Sequence, residues 1–297
     1  MFKPAPGSRP RVACEIRPEG VIAARADKKG EIATAWAPLP PAVVAPGLKV
    51  PNLPDAHAVT GALESALESV SAPKEITLVV PDVAARVLLL DFDALPSKRQ
   101  EAMSVVRFRL RKMVPFDVET AAVSYQVMGE KKDQLSVLVT VMPGDVLAEY
   151  ESVVRSAGYE PGAVLPSTVA AAAAMEGDTA ILMVNQSGSS VTTAVTQGQE
   201  MLLHRSMDLP PEAQAREEEM AQAVITALAW FEDTLKRLPS TMYFSGPGGA
   251  GAALESRWAA LVQPAPKLVD LGPAEPASAQ TRVPPGMMAG VTGALAT

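Results

Sequence analysis

Apolar positions recur along the chain at two spacings, and the switches between them mark out its elements. Three runs predict strands over Arg11–Ile16, Gly20–Ala26 and Glu31–Ala37, turned by Arg17-Pro18-Glu19-Gly20 and Lys28-Lys29-Gly30. Asp55 stands where an N-cap belongs, ahead of a predicted helix Ala56–Ser69 with Val59, Leu63, Ala66, Leu67 and Val70 along one face. Glu75–Val80 and Val87–Phe92 read as strands. Helical spacing returns over Lys98–Met113, with Met103, Val106, Leu110 and Met113 on one side, until Val114-Pro115-Phe116-Asp117 breaks it. Strands Ala121–Met128 and Gln134–Val141, helix Gly144–Ala157, strand Gly162–Leu165 and helix Ser167–Met175 follow.

A second set of elements begins at Thr179. LMVNQSGSSVTTAV (Leu182–Val195) reads as a hairpin whose small-residue turn suits either a plain reversal or a cradle of backbone N–H groups for phosphate. A strand Glu200–Ser206 completes the meander, and Glu212–Leu238 is a long helix with Val224, Leu228, Phe231 and Leu235 in line. Strand Thr241–Phe244, Gly-rich loop Ser245–Gly251, helix Ala252–Leu261, strand Lys267–Leu271 and a small-residue helix Met287–Leu295 close the chain. Each half opens with a β-meander and continues as helix–strand alternation, a duplicated α/β plan. The two-lobed fold shared by actin, Hsp70 and sugar kinases has this order, with each lobe's first hairpin as a phosphate loop. The division expected is a disordered Pro-rich tail at 1–10 and a first lobe from 11–86, 142–176 and 286–297. A β–helix–β–β insert occupies 87–141, and the second lobe covers 177–285.

Composition narrows the chemistry. The 297 residues carry a net charge of −7, which argues against a nucleic-acid binder, since that needs a basic face. Cys14 is the lone cysteine and is expected as a small core residue, so no disulfide or thiolate metal site forms within the chain. Two histidines, His57 and His204, exclude a His-rich metal centre, and neither sits in a hydrolase motif; His204 is expected as a partly exposed strand residue. The N-terminus lacks the apolar core of a signal peptide, and Ala163–Met175 is too short and Pro-interrupted to span a bilayer. A cytoplasmic location is therefore expected.

One block is more specific. In Val79–Val127, Pro81-Asp82 ends a strand, Arg107-Phe108 lies on a helix, Val114-Pro115-Phe116 breaks it and Ser124-Tyr125-Gln126-Val127 begins the next strand. These motifs, in this order and at this spacing, resemble the signature region of the type IV pilus assembly protein PilM family. The likeness continues through Val137–Thr168 and through TALAWFEDTL and YFSGPGGAGAAL in the second lobe. The resemblance implies an actin-like ATPase fold, related to FtsA and the GspL cytoplasmic domain.

The nucleotide motifs depart from the family. Where members carry D-I-G-S-S, this chain has Glu15-Ile16-Arg17-Pro18-Glu19-Gly20; Pro18 removes an N–H donor and Glu19 puts negative charge where phosphate would lie. Arg17 is expected as a surface turn residue. In the second hairpin Asn185 replaces the metal-linked aspartate and Ser187 the close-approach glycine, while Gly188 and Ser189 keep donors. Gly246, Gly248 and Gly249 stand where the family stacks adenine. These seven are the candidate nucleotide-binding residues. No catalytic residue and no protein-held metal are expected, and ATP with Mg²⁺ is expected to bind weakly at best, which makes the chain a pseudo-ATPase.

The resemblance implies a different role. In the family the insert and first lobe form a groove for the extended cytosolic N-terminal tail of PilN, an inner-membrane protein. On that basis Arg107, Phe108, Arg111, Pro115, Phe116 and Tyr125 are the candidate partner-binding residues, although spacing alone would place Phe108, Phe116 and Tyr125 in the core. The expected function is a scaffold of the pilus machine, held peripherally at the inner membrane through a PilN-like partner and relaying the state of motor ATPases. Alternatives are a GspL-like type II secretion component, disfavoured because the chain ends at Thr297 without a transmembrane helix, a weak actin-like ATPase, and an FtsA-like filament protein.

Overall fold

The protein is described by a computed structural model covering residues 10–131, 134–175, 178–247, 250–259, 262, 266–270 and 282–296. Two five-stranded sheets repeat one plan. In the first, β1 (Val12–Arg17), β2 (Gly20–Ala26) and β3 (Ile32–Pro38) form an antiparallel meander, and β4 (Glu75–Val80) and β8 (Glu160–Pro166) add in parallel beyond β1, in the order β3-β2-β1-β4-β8. In the second, β9 (Ile181–Ser187), β10 (Ser190–Gln197) and β11 (Glu200–Asp208) form the meander, with β12 (Thr241–Ser245) and β13 (Lys267–Asp270) in parallel beyond β9. The turn signals set these registers: Arg17 pairs with Gly20, and Ser187 with Ser190 across Gly188, whose φ of 55° is the left-handed backbone a two-residue turn demands.

Helices cover both sheets. Helix α1 (Ala56–Ser69), capped by Asp55 Oδ1 accepting from Ala58 N at 3.0 Å, packs with α3 (Gly144–Ser156) on the outer face of the first sheet. Helix α5 (Ala213–Leu235), through Val224, Leu228 and Phe231, and α6 (Ala250–Ala259), through Leu254 and Trp258, cover the second. Trp230, beside Phe231, is half-buried. Between the lobes lie α4 (Ser167–Ala172) and α7 (Ala289–Ala296). Val291 and Ala294 of α7 pack with Ala13, Ile22 and Val79 of the first sheet, while its Ala289 joins Met183 and Ala194 of the second. Close approach explains its small residues: a side chain at Gly293 would collide with the Ala170 backbone carbonyl.

A third sheet, β5 (Arg86–Phe92), β7 (Gln134–Met142) and β6 (Ala122–Lys131) in the order β5-β7-β6, leaves the first lobe after β4. Helix α2 (Arg99–Leu110) seals one face of it with Ala102, Val106 and Leu110. The helix is shorter than its apolar pattern predicts. The Leu110 carbonyl accepts from both Met113 N (2.8 Å) and Val114 N (3.2 Å), a tightened last turn that leaves Met113 45% exposed. The core reading of Phe108 is corrected, since its ring is 71% exposed, while Phe116 and Tyr125 pack half-buried against the insert's own core.

Candidate functional site

The carboxyl ends of β1, β4 and β9 converge between the lobes, where open α/β sheets gather polar side chains. Here they assemble a buried hydrogen-bonded chain. Arg17, at the end of β1, is fully buried; the expectation of a surface turn residue is wrong because the other lobe closes over it, the Gln186 carbonyl adding to Glu15 and Glu19 of its own hairpin. Its Nη1 donates to Glu15 Oε1 at 2.9 Å, its Nη2 donates to the Gln186 carbonyl at 2.6 Å, and its Nε lies 3.5 Å from Glu19 Oε2. Ser167 Oγ donates to the same Glu15 oxygen at 2.7 Å. Asn185 Nδ2 reaches Ser167 Oγ at 3.0 Å, Thr168 Oγ1 at 3.0 Å and Asp82 Oδ2 at 3.1 Å. Asp82, on the short 3₁₀ turn after β4, also accepts from Thr168 N at 2.8 Å and Thr168 Oγ1 at 2.5 Å.

This chemistry explains why residue 185 is an amide. A carboxylate there would face Asp82 and the oxygens that already serve Glu15 and Asp82, with no donor of its own. Asn supplies the donor that joins the two carboxylates into one network. Burial pushes the Glu15 carboxyl above the usual range against the pull of Arg17 and Ser167. Burial also opposes the Arg17 charge, but Glu15 and Glu19 overcome it and hold the guanidinium above its ordinary value. His204, on β11, is partly exposed as a residue, as expected, but its side chain is only 3% exposed, with Nε2 4.0 Å from Asp82 Oδ1. Burial pushes its pKa down, with Asp82 pulling the other way.

A second tie joins the hairpin turns. Gly188 N donates to Glu19 Oε1 at 2.7 Å, and a side chain at Gly188 would come within 2.7 Å of the Pro18 ring. Thus Asn185 and Gly188 are brought to the cleft with their donors engaged. Ser187 Oγ is buried there without a partner, and Ser189 is exposed. Gly246 N donates to the Gly286 carbonyl at 2.8 Å. Gly248 and Gly249 lie outside the described residues. Cys14 is buried in β1, and desolvation pushes its thiol far above the usual range. Sequence reading missed Asp82, Ser167, Thr168 and Glu19 as members of the network. Their shared signal is position, since each sits one or two residues beyond a strand that points at the cleft.

A groove lies on the other side of the first lobe. Strand β8 is the open edge of the first sheet and β6 the open edge of the third, and both line a cavity of about 220 Å³. Val123 and Ser124 come from β6, Gly162 to Val164 from β8, and Leu147 from α3. The six candidate partner residues are not in this lining. Arg107 is used internally, donating to the Val118 and Ala121 carbonyls, and Arg111 pairs with Glu119 at 2.7 Å. Phe116 lines a separate hollow with Leu48, Val50 and Pro143. Pro115 and Phe108 are exposed, and Tyr125 sits one residue along β6 from the groove.

This architecture is the two-lobed actin-like ATPase fold. A chain of the PilM–PilN type IV pilus biogenesis complex is similar from end to end, with a TM-score of 0.76, 16% identity, and coverage of 96% of this chain and 98% of that one. The cytoplasmic domain of EpsL, an inner-membrane component of the type II secretion system of Vibrio cholerae, is similar at TM-score 0.52 and 13% identity, covering 96% and 92%. A protein of actin-like ATPase fold and unknown function from Bacteroides thetaiotaomicron is similar at 0.50 and 8% identity, covering 90% and 93%. The PilM resemblance in the sequence thus has its counterpart in three dimensions. No protein-family model matches the chain, and no curated protein matches it. Among the described residues no helix is long and apolar enough to cross a membrane, and no cluster of His, Cys, Asp or Glu could hold a metal.

Proposed function

We propose that this protein is a cytoplasmic scaffold of a type IV pilus machine that holds the extended N-terminal tail of a PilN-like inner-membrane protein. The observation that carries the reading is the end-to-end likeness to a chain of the PilM–PilN complex, well above that to the EpsL domain. The groove between β6 and β8 supplies a mechanism. Two open strand edges offer backbone hydrogen bonds to an extended peptide, and the apolar lining offers side-chain pockets. The protein sits at the inner membrane through that partner, and motor ATPases are its further contacts.

The cleft is read as a degenerate nucleotide site. Glu19 occupies the Gly188 amide that a phosphate oxygen would need, Pro18 fills the approach to it, and Asn185 is consumed as an internal donor. These residues do not fit Mg²⁺–ATP. Titration calorimetry with synthetic N-terminal peptides of inner-membrane proteins encoded beside this chain tests the groove. Binding that disappears in Ser124→Arg, an exposed groove position, supports the reading; failure of every such peptide sinks it. Millimolar Mg²⁺–ATP should leave the melting temperature unchanged, and a clear upward shift would refute the closed cleft.

A further inference from the structure

Helix α2 has a second face that neither the cleft nor the groove uses. Of the five large apolar side chains exposed among the described residues, three lie on or just past it: Val105 at 38%, Phe108 at 71% and Met113 at 45%. Val105, Phe108 and Arg109 share one side of the helix, with Lys112 in the turn that follows; Phe108 points furthest from the buried Ala102, Val106 and Leu110. Charge is segregated here as well. Residues 98–112 hold six basic side chains and one acidic one in a chain of net charge −7. That acid, Glu101, is taken by Lys98 at 3.2 Å. Arg111 leans over Phe108, its guanidinium 5.9 Å from the ring centre, and is anchored by Glu119, which holds the aromatic edge in a cationic setting.

We propose that this face of α2 docks directly on an anionic lipid bilayer. An exposed aromatic in a segment that also exposes Val105, Met113, Arg109, Arg111 and Lys112 has the make-up of an interfacial anchor, apolar at the tip and basic beside it. The charge complementarity is one-sided. The patch attracts anionic headgroups while the acidic remainder is repelled, so the chain docks in one orientation. This contact is separate from capture of a partner tail, and it needs no peptide in the groove.

The test is co-sedimentation of the full chain, without peptide, on vesicles of phosphatidylcholine alone or mixed with phosphatidylglycerol. Binding is expected only on the mixed vesicles and should fall as salt rises. Each cation near an anionic surface is worth about fivefold in binding, so Arg109→Glu/Lys112→Glu should weaken it by at least roughly thirtyfold. Phe108→Ser should weaken it at any salt. All three positions are exposed, so the variants keep the fold, and Ser124→Arg should bind vesicles like the unaltered chain. The proposal is overturned by absence of binding to mixed vesicles, or by binding that these variants leave unchanged. It is also overturned if the chain ignores vesicles yet binds immobilised polyglutamate through the same residues, which would make the face a docking site for an acidic protein segment.

Discussion

Arg17→Met is the sharpest perturbation of the cleft, because the methionine keeps much of the buried stem and deletes only the guanidinium. The loss can be built up from the contacts. Glu15 loses its counter-charge at 2.9 Å and keeps Ser167 Oγ, and the Gln186 carbonyl loses its donor at 2.6 Å. Removing one partner of a buried ion pair costs about 3–5 kcal/mol, and a stranded buried acceptor about 1–3 kcal/mol. Because these overlap, we expect about 4 kcal/mol in total. Glu15→Gln should cost less, since Arg17 keeps Glu19 and Gln186, and burial already disfavours the Glu15 charge. The double variant removes both charges and should recover roughly 2 kcal/mol relative to the sum of the singles. Urea unfolding at pH 7 followed by tryptophan fluorescence measures this, with Trp36 on the first sheet and Trp258 buried in the second lobe as reporters. At a slope of about 3 kcal/mol per molar, the Arg17→Met midpoint should drop by roughly 1.3 M. The pH dependence gives an independent sign. A carboxyl whose folded pKa lies above its ordinary value of 4.5 contributes stability below that value and loses it as pH rises through the folded pKa. Without Arg17 that folded pKa climbs further, so the deficit of Arg17→Met should be smallest near pH 4 and widest at neutrality. A cost below about 1 kcal/mol, simple additivity of the two variants, or a deficit that shrinks as pH rises would each refute the argument.

Asn185→Asp should destabilise by about 2–4 kcal/mol, because it replaces a donor with a charge facing Asp82; Asn185→Asp paired with Asp82→Asn should recover part of the loss in the same assay. His204 has a folded pKa below its ordinary value, so its contribution is present above about pH 6.5 and is lost as pH falls. His204→Gln should flatten that acid limb of the stability curve, and a limb unchanged in the variant would remove His204 as its source. Gly293→Ala should cost roughly 1–3 kcal/mol, since the new methyl meets the Ala170 carbonyl of α4; thermal melts should show it, and a neutral result would mean that α7 does not seat this closely.

The meanders and their turns were legible because turn chemistry is local. Gly20, Gly188 and Asp55 act within a few residues of themselves, and the strands and helix they bound appear where the pattern put them. What stayed hidden is non-local. Arg17 sits in a Pro-Glu-Gly turn, where a charge ordinarily faces water, and only the Gln186 carbonyl, 169 residues away, reveals that the turn is pressed against the other lobe. His204 is hidden for the same reason, since β11 lies against Asp82 and the third sheet. Phe108 errs in the opposite direction: two residues from both Val106 and Leu110, it lies on the far side of the helix from their stripe, which carries the aromatic from core to solvent. The departures from phosphate-loop motifs were readable as losses, but not as replacements. Glu19 and Arg17 stand where the family motif has phosphate-loop residues, and they join hairpin to hairpin across the cleft through the Gly188 amide and the Gln186 carbonyl. On the reading proposed above, these ties between the lobes would set the geometry of the groove in place of a nucleotide.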